Sequence, residues 1–280
     1  MWSHRYGLKG STSRTPYIVA AFAAAMMILP AVGGVTTVVM THVSLPAMTP
    51  AKISVVPAKS CSGTTSVTSS NWGGYAAQSC LTSPSKDVVT KVVGTWVEPT
   101  AKCSGTAYAA FWVGIDGYSS SSVEQLGTDS DCNGKTPSYY AWYEMYPANP
   151  VTISMTIKPG NTITASVTYN SAKKFVLAIE DVTTGKTFSV TKSLSSAARS
   201  SAEWIVEAPS SSSGVLPLAD FGTVTFTSCS ATISGVTGPI QTSSSTWQAA
   251  EMNIVGSTTE ETTGALSSSG NGFTGTWVAT

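Results

Sequence analysis

Histidine is almost missing from this chain of 280 residues: His4 and His42 are the only two, and both precede the part that reads as a folded domain. Their absence from the domain removes Ser-His-Asp and Cys-His nucleophilic catalysis, together with the commonest zinc sites. No G-x-S-x-G, no H-E-x-x-H, no S-x-x-K with its partner motifs and no G-x-G-x-x-G in a suitable context is present. Any chemistry must then come from carboxylates, amides and water, with no metal and no cofactor expected. Charge is scarce as well, at 11% of residues, and acid is absent from the first 86: all fifteen Asp and Glu lie at or after Asp87. Five of the fifteen bases, Arg5, Lys9, Arg14, Lys52 and Lys59, come before residue 69, which leaves ten bases against fifteen acids and a net of −5 from there on. That balance excludes a basic surface for nucleic acid.

The N-terminus has bases at Arg5, Lys9 and Arg14, then no charge from Tyr17 to Met40. Residues 1–43 read as a signal peptide or an uncleaved membrane anchor, because the run is long for the first and just long enough for the second. Residues 44–68, rich in Pro, Ser, Thr and Ala without a clear period, read as a linker or short propeptide, and small residues at Leu45-Pro46-Ala47 suit a cleavage site. The remaining 69–280 is expected to be one exported, monomeric domain that meets a membrane only through such an anchor. Five cysteines without a C-x-x-C pair fit disulfides in an exported chain better than a metal site. Cys103 with Cys132 is the first choice of pair, and one thiol, Cys229 or Cys61, must be left over.

What is plentiful is the short β-prone segment. Val88 to Val97, Ala109 to Ile115, Tyr139 to Tyr146, Val151 to Ile157, Thr162 to Tyr169 and several more to Val278 alternate or run β-branched between turn signals such as Pro159-Gly160-Asn161. The one window with a helical look is around Leu194 to Ser201. So many strands imply an all-β fold, a β-sandwich of two large antiparallel sheets of the concanavalin or lectin-like type. In Val151 to Ile157 the odd-numbered residues should face the core.

The chain is organised around F-W-V-G-I-D-G-Y-S-S-S-S-V-E-Q-L-G-T-D-S-D from Phe111, where Asp116-Gly117 is a turn signal and Asp116, Gln125 and Asp129 are expected near one another. The carboxylates to weigh are Asp116, Asp129, Glu144 in W-Y-E-M-Y-P, and Glu203 and Glu207 in A-E-W-I-V-E-A-P. Strand alternation puts Glu203, Ile205 and Glu207 on one face. Flanking aromatics suggest a partly desolvated cleft, in which a carboxyl pKa rises and the group both accepts and donates a proton. Trp72, Trp96, Trp112, Trp142 and Trp204 read as core, although sugar-binding sandwiches also display such residues.

N-W-G-G-Y from Asn71, W-V-E-P-T from Trp96, F-W-V-G-I-D-G from Phe111, Q-L-G-T-D from Gln125, W-Y-E-M-Y-P from Trp142 and A-E-W-I-V-E-A-P from Ala202 together resemble the glutamic peptidases, the eqolisin family. The six blocks stand in the family's order. The resemblance implies a secreted acid endopeptidase acting on proteins or peptides through a Gln and Glu dyad without a covalent intermediate. Carried over by block, the glutamine falls on Gln125 and the glutamate on Glu203, with Trp72, Trp112, Asp116, Asp129 and Glu144 as substrate-binding or supporting residues. An Asp116 or Asp129 carboxylate would fix the direction of the Gln125 amide. Met145, Tyr140 and the A-P-S-S-S-S run after Glu207 depart from the family's usual residues and touch the pocket lining more than the dyad. The other reading from composition is a carbohydrate-binding or cell-surface sandwich without catalysis.

Overall fold

The computed structural model of the chain describes residues 45–54 and 61–279; the expected signal or anchor at 1–43, with both histidines, lies outside them. Among the described residues every regular element is a strand. The first sheet runs β1 (Ile53–Ser54), β2 (Gly63–Ser69), β17 (Gln248–Val255), β3 (Trp72–Gln78), β12 (Ser201–Glu207), β5 (Ala110–Ile115), β6 (Val123–Asn133), β7 (Thr136–Tyr146) and β8 (Val151–Thr156). Its pairs are antiparallel except β2 with β17, which is parallel.

The second sheet runs β11 (Lys186–Lys192), β10 (Phe175–Asp181), β9 (Thr162–Tyr169), β4 (Val89–Val97), β15 (Thr223–Ile233), β19 (Phe273–Trp277) and β18 (Thr259–Thr263), all antiparallel. A short β16 (Val236–Gly238) folds back on β15, and β13 (Ser210–Ser211) and β14 (Gly214–Val215) form a small ribbon. The β17–β18 hairpin, with a register shift between Ile254 and Val255, carries the chain from one sheet to the other. This is the two-sheet sandwich that the strand pattern implied.

Alternation assigns the faces. Phe111, Val113, Ile115, Trp204 and Val206 of the first sheet point inward, onto Val92, Trp96, Ile163 and Phe226 of the second. The opposite parity, Trp72, Trp112, Trp142 and Ile205, forms a second buried apolar cluster on the outer face of the first sheet. Because β3, β5 and β12 are covered on both faces, F-W-V-G-I is apolar throughout instead of alternating. Ile153, Met155 and Ile157 are buried, in the parity expected, while Val151 at the strand's start is 45% exposed.

Two expectations shift, and the cysteine expectation holds. Residues 45–54 and 61–68 are part of the folded body: β1 pairs with β2 and β2 with β17, so the domain begins before residue 69. The stretch 194–201 forms turns and the start of β12, with no helix. Of the cysteines, Cys103–Cys132 is bonded as expected, Cys61 pairs with Cys80, and Cys229 is the buried free thiol.

Candidate active site

The outer face of the first sheet carries a row of polar groups among its tryptophans. In register, Glu144 of β7 lies opposite Gln125 of β6, Gln125 opposite Gly114 of β5, and Gly114 opposite Glu203 of β12. Four residues further along β12, Glu207 stands opposite Ala110, which in turn faces Asp129. Directly opposed residues of a sheet project to the same side, so all of these belong to one face.

Residues 45–54 run over this face, held by backbone bonds between Ala47 and Ser210 in both directions and by the Ala51 N–H donating to the Gly117 carbonyl. Asn71 accepts from the Lys52 N–H and donates to the Thr49 and Pro50 carbonyls. The Trp72 indole donates to the Thr49 carbonyl at 2.9 Å. At the centre is the Met48-Thr49 peptide bond: Gln125 Nε2 donates to the Met48 carbonyl at 3.2 Å, and the Thr49 N–H donates to Glu207 Oε1 at 2.9 Å. Glu207 Oε2 accepts from Trp112 Nε1 at 2.9 Å, and Trp72 and Trp112 meet edge to face at 4.8 Å.

Glu144 fixes the glutamine. Its Oε2 accepts from Gln125 Nε2 at 2.7 Å, so one amide hydrogen goes to Glu144 and the other to the Met48 carbonyl. Burial pushes Glu144 up to about 8, with the bond from Gln125 pulling back. Burial also holds Glu207 well above the ordinary carboxylate range; the Thr49 N–H opposes this, the Glu144 charge adds to it, and the Trp112 and Trp72 indoles oppose it. At acid pH Glu144 is therefore neutral, and Glu207, whenever its proton is off, is a stronger base than an ordinary carboxylate.

Glu203, the sequence's choice of glutamate, does not share this bond. Both of its oxygens are buried and, among the described residues, without a hydrogen-bond partner. Its pKa is raised well above the ordinary range, by burial first and further by Asp116 and Glu124. Between it and Gln125 lies Gly114, over which the Trp112 ring closes: a Cβ there would meet Trp112 Cζ3 at 2.8 Å. Glu207, four residues further along the strand, makes that bond instead. Parity puts both on one face, and the register makes it the face of Gln125, but four strand residues separate them by about 13 Å, so only one can reach a given bond.

Asp116 does not orient Gln125 either. At φ 73° its carboxylate turns back to accept from the Arg199 N–H, the Ser200 N–H and the Ser200 hydroxyl, which pins the approach to β12. Asp129 serves the tryptophans: Oδ1 accepts from Trp142 Nε1, and Oδ2 lies 2.8 Å from the Tyr140 hydroxyl. That hydroxyl is also 2.8 Å from Asp131 Oδ2. A hydroxyl has one proton, so one of these two acids must carry its own; burial raises both, Asp131 to about 7. Trp72, Trp112 and Glu144 thus join Gln125, while Asp116 and Asp129 act at a distance from it.

A model of the Peptidase A4 family matches residues 70–274. Aspergillopepsin-2 of Aspergillus niger is 32% identical over 199 residues, 61% of this chain and 67% of that protein. Scytalidopepsin B of Scytalidium lignicola is 35% identical over 179 residues, 59% of this chain and 65% of that protein. Among solved structures, scytalido-glutamic peptidase with a transition state analog inhibitor superposes with a TM-score of 0.62 at 29% identity, over 75% of this chain and 98% of the other. Aspergilloglutamic peptidase from Aspergillus niger gives 0.53 at 33%, over 61% and 99%. With the family's pattern spanning most of the folded domain and its sandwich reproduced in three dimensions, the chain belongs to the Peptidase A4 family, the glutamic peptidases.

Proposed function

We propose that this acid endopeptidase hydrolyses peptide bonds with Gln125 and Glu207 as its dyad, in place of the Gln125 and Glu203 pair expected from the sequence. The observation that carries the reading is that one peptide bond is gripped from both ends, Gln125 on the carbonyl oxygen of Met48 and Glu207 on the amide nitrogen of Thr49. Glu207 takes a proton from a water as its oxygen adds to the carbonyl carbon. The developing oxyanion is met by the Gln125 N–H, an interaction whose removal in comparable sites costs roughly 3 kcal/mol. Glu207 then passes the proton to the nitrogen as the C–N bond breaks, releasing acid and amine without a covalent intermediate. Its contact with the nitrogen is already at proton-transfer distance.

Glu144 holds the amide so that nitrogen, not oxygen, faces the carbonyl. Trp112 steers the Glu207 carboxyl through Oε2 and leaves Oε1 for the substrate. Two disulfides fit an exported protein, the localisation that the N-terminal sequence suggests. A sugar-binding platform would want a flat exposed row of aromatics, and Trp72, Trp96, Trp112, Trp142 and Trp204 are all buried. The test is hydrolysis of an unfolded protein at pH 4 by Glu207→Gln, Gln125→Ala and Glu203→Gln: the first two should lose at least a hundredfold in kcat, and the third should keep it. Normal turnover in Glu207→Gln would sink the assignment.

A further inference from the structure

The segment lying across the dyad is the protein's own. We infer that residues 45–54 are seated as a substrate and that the Met48-Thr49 bond is the bond this enzyme cuts in its own chain, with the Met48 pocket setting what it accepts on the acyl side of any substrate. The inference rests on the Gln125 and Glu207 reading above.

Three independent features support it. The register is complete: of all the peptide bonds in the segment, it is Met48-Thr49 whose carbonyl meets Gln125 and whose N–H meets Glu207. The flanks are clamped as a bound peptide would be, with Ala47 paired to Ser210, Trp72 and Asn71 on the Thr49 carbonyl, and Ala51 on Gly117. The side chain is swallowed: Met48 is 1% exposed and belongs to the apolar cluster of Trp72, Trp112, Val123, Trp142 and Ile205. Such a pocket admits a long, unbranched apolar side chain and rejects a charge, which would have to leave water unpaired.

Hydrolysis adds one water across the bond, leaving a carboxyl on Met48 and an amine on Thr49. Among the described residues, 45–48 are then held by the pairing at Ala47, the Met48 side chain and the Gln125 bond to the Met48 oxygen, whereas Ile53 and Ser54 stay paired with Ser69 and Thr68. The cut therefore frees the acyl-side half of the cleft.

Full-length protein purified in denaturant and refolded by dilution to pH 4 should lose residues 1–48 and expose Thr49 as a new amino terminus, read by intact mass and terminal sequencing. Because the bond already sits in its own site, the rate constant should not change on tenfold dilution. Met48→Asp should slow this cut by a hundredfold or more, and Met48→Leu should hold it within a few fold. In the octapeptide Leu-Pro-Ala-Met-Thr-Pro-Ala-Lys, cleavage should fall between Met and Thr, and replacing that Met by Asp should lower kcat/KM at least a hundredfold. A wild-type chain that stays intact or opens elsewhere, while the Met48→Asp chain with its loosened segment hydrolyses the octapeptide, overturns the inference and leaves the dyad standing. Octapeptide cleavage by Met48→Asp that survives Glu207→Gln in the same chain overturns the dyad reading and this inference with it.

Discussion

Raising the pH from 4 to 6 should remove most of the stability of this domain. Its buried acids set the sign. Glu98 sits under Thr128 and Ser130 with burial pushing it to about 7; Asp131 stands at about 7 and Glu144 at about 8 for the same cause; and Glu261, bonded to the Thr263 hydroxyl, is at about 8. Each folded-state pKa lies above the unfolded value near 4, so the fold binds the proton more tightly than the open chain does. The stabilisation is therefore fully present below about pH 4 and is lost as pH rises toward 7 or 8. Between pH 4 and 6 the unfolded carboxyl ionises and the folded one does not, a difference of roughly 2 kcal/mol per group. Four such groups give on the order of 8 kcal/mol, comparable with the whole stability of a typical domain. Urea titrations followed by tryptophan fluorescence at pH 3.5, 4.5, 5.5 and 6.5 read this directly, and the midpoint should fall at every step above 4.5. A midpoint that climbs toward neutrality would refute the reasoning, and Glu98→Gln should flatten part of the slope if it is right. For these groups, acid is what the fold requires.

Glu144→Ala should cut kcat about a hundredfold with little change in KM, because a free Gln125 amide can turn its oxygen toward the carbonyl and withdraw the oxyanion donor; steady-state kinetics at pH 4 on an unfolded protein measure the split. Asp116→Asn should leave turnover intact while lowering stability by about 2 kcal/mol, since one of its two oxygens would become a donor facing the Arg199 or Ser200 N–H. In a domain of this size that is a drop of roughly 4–8 °C in Tm; an Asp116→Asn enzyme that is stable but slow would return Asp116 to the site. Trp112→Phe keeps the ring over Gly114 but removes the donor to Glu207, so kcat should fall about tenfold and the pH profile should shift, where a purely packing role would move neither.

Much of this molecule is local, and local patterns are legible. Alternating and β-branched runs fix strands because side chains alternate faces whatever the strand pairs with. The pairing of Cys103 with Cys132 was readable because both bracket one excursion of the chain. The histidine-free composition narrowed the chemistry to carboxylate and amide. Parity placed Glu203 and Glu207 on one face of their strand, and the ordered blocks pointed to a glutamine and a glutamate. Parity cannot choose between two residues four apart on one strand. That choice belongs to the tertiary structure, through the Trp112 ring closing over Gly114 and through a segment 77 residues before Gln125 and 158 before Glu207 that both must reach. The same holds for Glu144 in place of Asp116 as the partner of the glutamine. Asp116 stands where the chain takes a left-handed turn, and its carboxylate is captured by the Arg199 and Ser200 amides. The low-complexity look of residues 44–68 concealed a bound segment for a similar reason: an extended peptide takes its hydrogen bonds and its Met48 pocket from the surface it lies on, and its own sequence carries no period to announce them.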